Sequence, residues 1–260
     1  MEELLIKSSI DGTMQPSLFY FAGEDKPLVI GLHTWSFDRY NQVENMLPYA
    51  KKYGWNLLLP DFRGKNKAEN PNPVDACGSL KAKQDVIDAI QFVEEKYNTD
   101  SNNRFVIGGS GGGHMALLMA GYRPEMFKCV VSYVPITDIS DWYYEKKADS
   151  SKFKGYSDDL YVCTGNKTPE EAPDEYAFRS PMSYIDEIAK TTVKICHGKY
   201  DPSVPVTHSL KFFLEMQKRH PESKTFLEIF DGGHQIKLAE AFEWVESCVS
   251  GNVELTEVTS

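Results

Sequence analysis

The chain has 260 residues, of which 41% are hydrophobic and 25% are charged, and its formal net charge is -10 at pH 7. These values predict a single globular domain over residues 1–260 with one sizeable core. The acidic balance argues against nucleic acid or an anionic membrane surface as a partner, because both bind basic patches.

The first residues, MEELLIKSSIDGT, carry acids where a secretory signal would be basic, and their apolar run is too short for the core of such a signal. No stretch of the sequence reaches the length of a membrane span, so a cytoplasmic protein is expected. Five cysteines occur without a C-x-x-C pair, which predicts reduced thiols rather than a disulfide framework or a zinc site.

Short apolar and β-branched runs recur along the chain, and stretches with helical spacing separate most of them. The predicted strands are 18–21, 28–32, 56–59, 104–107, 129–134, 193–196 and 225–229. Helices are predicted around 43–50, 86–97, 114–122 and 238–249. This alternation predicts an α/β fold, with a mostly parallel central sheet, helices on both faces and antiparallel strands at the N-terminal edge.

Residues 138–180 depart from the β/α rhythm and are rich in Asp, Lys, Tyr and Pro. Long segments of this kind in compact domains are usually lids or binding elements, so a lid-like insertion over one end of the sheet is expected. Its aromatic residues suit an apolar or sugar-binding pocket. The candidate pocket residues in this segment are Trp142, Tyr143, Tyr144 and Tyr176.

The sequence RFVIGGSGGGH, over residues 104–114, surrounds Ser110 with glycines. Residues 108–112 fit G-x-S-x-G, which between a strand and a helix forms a nucleophile elbow with a strained serine. A phosphate loop would need a following lysine, and a dinucleotide loop would need glycine in place of His114. The motif alone is also compatible with an ordinary glycine-rich turn.

A serine nucleophile requires a base within hydrogen-bond reach and usually an acid that orients the base. Asp201 follows the predicted strand 193–196, and His234 follows the predicted strand 225–229. The order Ser, Asp, His is that of the α/β-hydrolases. Asp138, just after the strand 129–134, is an alternative acid.

The segment His197-Gly198-Lys199-Tyr200-Asp201-Pro202-Ser203-Val204-Pro205 resembles the H-G-x-x-D-x-x-V-P segment of the prolyl oligopeptidase family's catalytic domain, within the α/β-hydrolase superfamily. The sequences RSP at 179–181 and PDFRG at 60–64 are similar to further segments of that family. The resemblance covers nearly the whole chain. It implies that Ser110 is the nucleophile, His234 the base and Asp201 the acid.

Acyl transfer also needs backbone N–H groups directed at the developing oxyanion. The first is expected from Gly111, the residue after the nucleophile. The second should come from the loop after strand 28–32, where relatives often have H-G-G or H-G and this chain has His33-Thr34-Trp35. Thr34 and Trp35 are therefore both candidates, with Trp35 favoured, and the Trp35 indole is a further candidate for the pocket wall.

These features predict a serine hydrolase that cleaves carboxylic esters through an acyl-enzyme intermediate. Peptidases that the resemblance covers usually carry a large β-propeller, for which this chain has no room, and this favours an esterase. The first alternative is a peptidase that acts on short peptides, and the second is a non-catalytic binding module on the same scaffold. The expected partner is a small ester or a short peptide, and no metal or organic cofactor is expected.

Overall fold

The computed structural model describes residues 1–251, and within them one sheet contains eight strands. The strands are β1 (Glu2–Lys7), β2 (Met14–Tyr20), β3 (Leu28–Leu32), β4 (Asn56–Pro60), β5 (Arg104–Gly109), β6 (Cys129–Tyr133), β7 (Thr192–Gly198) and β8 (Thr225–Phe230). The α-helices are α1 (Val43–Tyr53), α2 (Leu80–Tyr97), α3 (Gly111–Tyr122), α4 (Ile139–Ala148), α5 (Gly155–Cys163), α6 (Pro173–Phe178), α7 (Ile185–Ile188), α8 (Thr207–Arg219) and α9 (Leu238–Ser250).

The strands lie in the order β1-β2-β4-β3-β5-β6-β7-β8. From β3 to β8 all neighbours in this order run parallel, whereas β2 pairs antiparallel with β4, and β1 pairs antiparallel with β2. The predicted α/β class, with its antiparallel N-terminal edge, is confirmed. Because β3, β5, β7 and β8 are parallel, the residues that follow them meet at one edge of the sheet.

Helices cover both faces of the sheet, as continuous apolar strands require. Val106 and Val130 point to the face covered by α2 and α3, while their neighbours Phe105 and Val131 point to the face covered by α1 and α9. Successive strand residues therefore enter opposite halves of the core. None of the helices in the described residues has the length and apolar character that a membrane crossing needs.

The segment 138–180 is mostly helical, since α4, α5 and α6 lie within it. Its inward side chains form a third apolar cluster, together with Trp35 and Cys77 of the main body. The sequence pattern did not predict these helices, which burial of the aromatic rings makes favourable. A lid role for this segment stays a prediction.

Candidate active site

Ser110 lies at the sharp turn between β5 and α3, with φ 57° and ψ -122°, a strained conformation for a residue with a side chain. Its N–H donates to the Tyr133 carbonyl at 2.9 Å, and its own carbonyl accepts from the His114 N–H at 2.9 Å. A Cβ added to Gly108 would overlap the carbonyl of Gly112, so the strand and the helix approach as closely as the motif predicts. The turn thus has the geometry of a nucleophile elbow.

Asp201 and His234 are brought together from the ends of β7 and β8. His234 Nδ1 lies 2.7 Å from Asp201 Oδ2, and the other carboxylate oxygen accepts from the N–H groups of Ser203 at 2.8 Å and Val204 at 3.0 Å. The Asp201 side chain is fully buried, whereas 29% of the His234 side chain is exposed. Because Nδ1 faces the carboxylate, Nε2 is left on the opposite side of the ring, free for proton transfer.

The Asp201 carboxyl is held in its ionised form. Burial opposes ionisation, but hydrogen bonds from His197 and His234 outweigh it and keep the pKa of Asp201 well below its ordinary value. A carboxylate that is charged at neutral pH can hold the neighbouring imidazole in one tautomer and stabilise the imidazolium when it forms.

The loop that carries His234 packs against the serine turn. A Cβ added to Gly109 would overlap the side chain of Ile236, two residues after His234. Within residues 1–251 the structure has no hydrogen bond between the Ser110 hydroxyl and the His234 ring. Such contacts are often long in unliganded enzymes and shorten when substrate binds.

The segment after β3 approaches the serine turn through Trp35. The Trp35 nitrogen lies 2.6 Å from the position a Cβ would take on Gly111, so the two backbones are in close contact. The Thr34 N–H donates instead to Asn41 Oδ1 at 3.1 Å. The His33 ring stacks on Phe62 and its nitrogens lie 3.0 and 2.9 Å from the carbonyl oxygens of Thr34 and Asp61, which hold the segment in place.

The aromatic pocket candidates pack against one another between segment 138–180 and the main body. The rings of Trp35 and Trp142 meet edge to face with centroids 4.8 Å apart, and those of Tyr143 and Tyr176 do so at 6.0 Å. These four side chains are buried, whereas Tyr144 is 40% exposed. Trp142 also donates from Nε1 to the Ser203 carbonyl at 3.2 Å, which joins α4 to the Asp201 loop.

A groove of about 510 Å³ opens beside the serine turn. Its walls come from the segment after β3, from α1 and from the His234 loop. Thr34, Asn45 and Tyr49 supply polar groups, and Ile236 and Leu238 supply an apolar side. Sequence reasoning missed this groove, because its walls are far apart along the chain.

Other candidates from the sequence have separate roles. Asp138, the alternative acid, caps α4 by accepting from the N–H groups of Ser140 at 2.8 Å and Asp141 at 3.1 Å. His197 has a contact that sequence reasoning missed, since its Nε2 lies 3.5 Å from Asp201 Oδ2. Among residues 1–251, no three His, Cys, Asp or Glu side chains are grouped as a metal site would require.

The sheet order and the serine turn after β5 define a serine hydrolase with the α/β-hydrolase fold. Comparison with known proteins narrows this class. The model of the prolyl oligopeptidase family matches residues 41–250, and the chain belongs to that family. The resemblance predicted from the sequence motifs is confirmed.

Individual relatives include both peptidases and esterases. Dipeptidyl peptidase family member 6 of Caenorhabditis elegans is 27% identical over 187 residues, which are 71% of this chain and 25% of the relative. The chain spans about a quarter of the length of the first curated relatives it matches. Among solved structures, acylaminoacyl peptidase of Pyrococcus horikoshii has a TM-score of 0.70 at 21% identity, with 90% of this chain and 37% of that chain covered. Acetyl xylan esterase of Paenibacillus sp. R4 has a TM-score of 0.70 at 16% identity, with 95% and 83% covered.

Proposed function

We propose that this protein hydrolyses carboxylic esters through an acyl-enzyme intermediate, with Ser110 as nucleophile, His234 as general base and acid, and Asp201 as the orienting carboxylate. The observation that carries the proposal is the 2.7 Å bond between His234 Nδ1 and Asp201 Oδ2 next to a strained serine turn. The serine conformation costs energy, so stability alone does not explain its presence.

The first half of the reaction forms the acyl-enzyme. Ser110 Oγ attacks the ester carbonyl carbon as its proton passes to His234 Nε2, and the carbonyl oxygen becomes an oxyanion. The intermediate then expels the alcohol, which takes the proton back from His234. In the second half a water molecule gives its proton to His234 as it attacks the acyl carbon. His234 then returns that proton to Ser110 Oγ as the bond between the acyl carbon and the serine breaks, which releases the carboxylic acid and free Ser110.

The oxyanion is assigned to the backbone N–H groups of Gly111 and Trp35. Gly111 is the first residue of α3, so its N–H has no partner inside the helix. Trp35 is favoured over Thr34 because the Thr34 N–H already donates to Asn41, whereas the Trp35 backbone lies against Gly111. Each such donor typically lowers the activation barrier by about 3 kcal/mol.

Substrate choice is assigned to the groove and to segment 138–180. The groove borders both the segment after β3 and the His234 loop, so one part of a bound ester can extend into it. Its lining combines amide, hydroxyl and apolar groups with the carboxylate of Glu44, which suits a polar substituent without negative charge. On the other side, Tyr144 is exposed and accessible, while the buried rings of Trp142, Tyr143 and Tyr176 support the shape of segment 138–180, for which we retain the lid role.

Peptide hydrolysis by the same residues is the second candidate. It is favoured by the names of the curated relatives, which include a dipeptidyl peptidase and several acylamino-acid-releasing enzymes. Acyl transfer is chemically the same in both cases, and only the leaving group differs: an alcohol for an ester and an amine for a peptide.

The test compares kcat/KM for an ester and an amide of one acyl group, with a series of short peptides added to the amide arm. Ester cleavage without detectable amide cleavage is the expected result. Efficient amide cleavage would replace the esterase proposal with a peptidase. The variant Ser110→Ala serves as the control in both arms and should be inactive in each.

A further inference from the structure

A second imidazole lies near the Asp201 carboxylate, next to the same oxygen, Oδ2, that His234 contacts. His197, in β7, is fully buried, and its Nε2 lies 2.9 Å from the Val204 carbonyl oxygen and 3.5 Å from Asp201 Oδ2. Its Nδ1 lies 2.7 Å from Ser209 Oγ in α8. The ring therefore contacts the acid, the far end of the loop that carries the acid, and the helix that follows.

These partners determine which ring nitrogen carries the proton. A carbonyl oxygen can only accept, so His197 Nε2 must donate to Val204. The Ser209 hydroxyl can donate, and Nδ1 is then its acceptor. A neutral His197 with its proton on Nε2 satisfies both contacts at once. In this tautomer the Nε2–H group is also the part of the ring nearest to Asp201 Oδ2.

The same loop holds the opposite side of the acid. Val204 accepts from His197 through its carbonyl and donates its N–H to Asp201 Oδ1 at 3.0 Å. The imidazole thus fixes Val204, and Val204 fixes the carboxylate. Without the ring, the Val204 carbonyl would lose its donor, and His234 would be the one remaining imidazole contact of Asp201 Oδ2. The carboxylate would then be held less firmly towards His234.

We propose that His197 is a positioning residue, which keeps Asp201 Oδ2 directed at His234 Nδ1 without itself touching the substrate. The inference rests on the proposed function, because the Asp201–His234 pair must act in catalysis for its orientation to affect turnover. Ser209 belongs to the same arrangement, since its hydroxyl can donate to Nδ1 in the tautomer that the Val204 carbonyl requires.

The test uses His197→Leu, which removes both ring nitrogens, and His197→Gln, whose carboxamide N–H can still donate to Val204. His220→Leu is the matched control, because His220 follows the opposite end of α8 and pairs with Asp186 at 2.7 Å. Two readouts are needed. The first is the low-field proton NMR signal of His234 Nδ1–H, and the second is kcat and KM for p-nitrophenyl acetate, with thermal melts to establish that each variant is folded.

We expect His197→Leu to lose the low-field signal and to lower kcat by about tenfold or more, with KM changed by less than about threefold. His197→Gln should keep the signal and remain within about threefold of the original kcat. The control should match the unaltered protein in both readouts. A folded His197→Leu variant with an unchanged signal and an unchanged kcat would overturn the proposal.

Ser209→Ala decides the matter if His197→Leu does not fold. It removes only the hydroxyl, so the signal should weaken and kcat should fall, and no change in either would again overturn the proposal. The NMR signal does not depend on turnover. An unaltered protein that shows the signal but cleaves no ester would therefore contradict the proposed function alone, and the signal would still test the role of His197.

Discussion

At the scale of single residues, the site depends on backbone groups whose direction a sequence does not reveal. The backbone conformation of Ser110 costs about 1–3 kcal/mol of strain. This strain could be predicted, because glycines on both sides of a serine are typical of a nucleophile elbow. The sequence left both Thr34 and Trp35 open as the second donor, with Trp35 favoured, since the two residues are adjacent. A side chain farther along, Asn41, favours Trp35 by binding the Thr34 N–H.

We predict that Asp201→Asn lowers kcat by about 10⁴-fold, because an amide cannot hold His234 in the required tautomer.

The same variant tests the charge of Asp201. The pKa of Asp201 is lower in the folded state than in the unfolded chain, so the carboxylate stabilises the fold at pH values above the unfolded pKa. This contribution disappears as the pH falls through the lower, folded pKa. Urea unfolding should therefore show a stability difference from the Asn variant near pH 7 that shrinks in acid. A constant difference at all pH values would contradict the assigned charge.

We predict that Gly111→Ala lowers kcat by about tenfold or more, with a smaller effect on KM, because the new Cβ would press on the Trp35 backbone and displace an oxyanion donor. Gly155→Ala is the matched control, since a Cβ there meets nothing within 4 Å. Steady-state kinetics on one activated ester measures both variants. Equal activities would show that the Trp35 N–H is not required.

At the scale of elements, the strands of the sheet interior were predictable and the peripheral elements were not. β3, β4, β5 and β6 consist mostly of apolar residues that are buried on both faces, and such runs are distinctive in any sequence. β1 was missed because only alternate residues of Glu2–Lys7 are buried, and so short an alternation at an edge is weak evidence. The helices of segment 138–180 were missed because what orders them is packing onto Trp35 and Cys77, which are distant in sequence.

The contact between α2 and this segment includes a buried lysine. Lys83 Nζ lies 3.5 Å from the centroid of the Phe178 ring and 3.3 Å from both the Phe178 carbonyl oxygen and the Tyr184 hydroxyl. Burial, aided by the nearby Arg179 charge, lowers the pKa of Lys83 to about 7. Between the ordinary lysine pKa and 7, the unfolded chain therefore binds a proton at Lys83 that the folded chain does not. This difference destabilises the fold increasingly as the pH falls towards 7.

We predict that Lys83→Met is more stable than the original protein near pH 7 and that its advantage shrinks as the pH is raised towards 10. The physical reason is that methionine has similar length and carries no charge that must be desolvated. Urea titrations at several pH values measure the advantage. A stability advantage that does not change with pH would contradict the prediction. It would mean that Lys83 keeps its charge at all these pH values because the surrounding aromatic rings stabilise the ammonium.

At the scale of the whole molecule, the arrangement of the sheet explains why distant sequence motifs form one site. Parallel strands place the ends of β3, β5, β7 and β8 at the same edge, so Trp35, Ser110, Asp201 and His234 could be grouped from strand order alone. The groove and the role of His197 could not, because they depend on how loops cross that edge.

We predict that the five thiols of the folded protein react slowly with a thiol reagent and react fully after denaturation without reductant. All five cysteines are buried and free. Burial also raises the pKa of Cys196 to about 12, which leaves little of the reactive thiolate at neutral pH. Colourimetric thiol titration measures both states. Rapid reaction in the folded state, or fewer than five thiols after unfolding, would contradict this account.

The central claim is that Ser110 is an activated nucleophile, and a fluorophosphonate probe followed by peptide mass spectrometry tests it most directly. The account predicts one covalent adduct on Ser110, with labelling abolished in Ser110→Ala and strongly slowed in His234→Ala. No adduct on the folded protein, or an adduct on another residue, would contradict it and would favour a non-catalytic binding role for this scaffold.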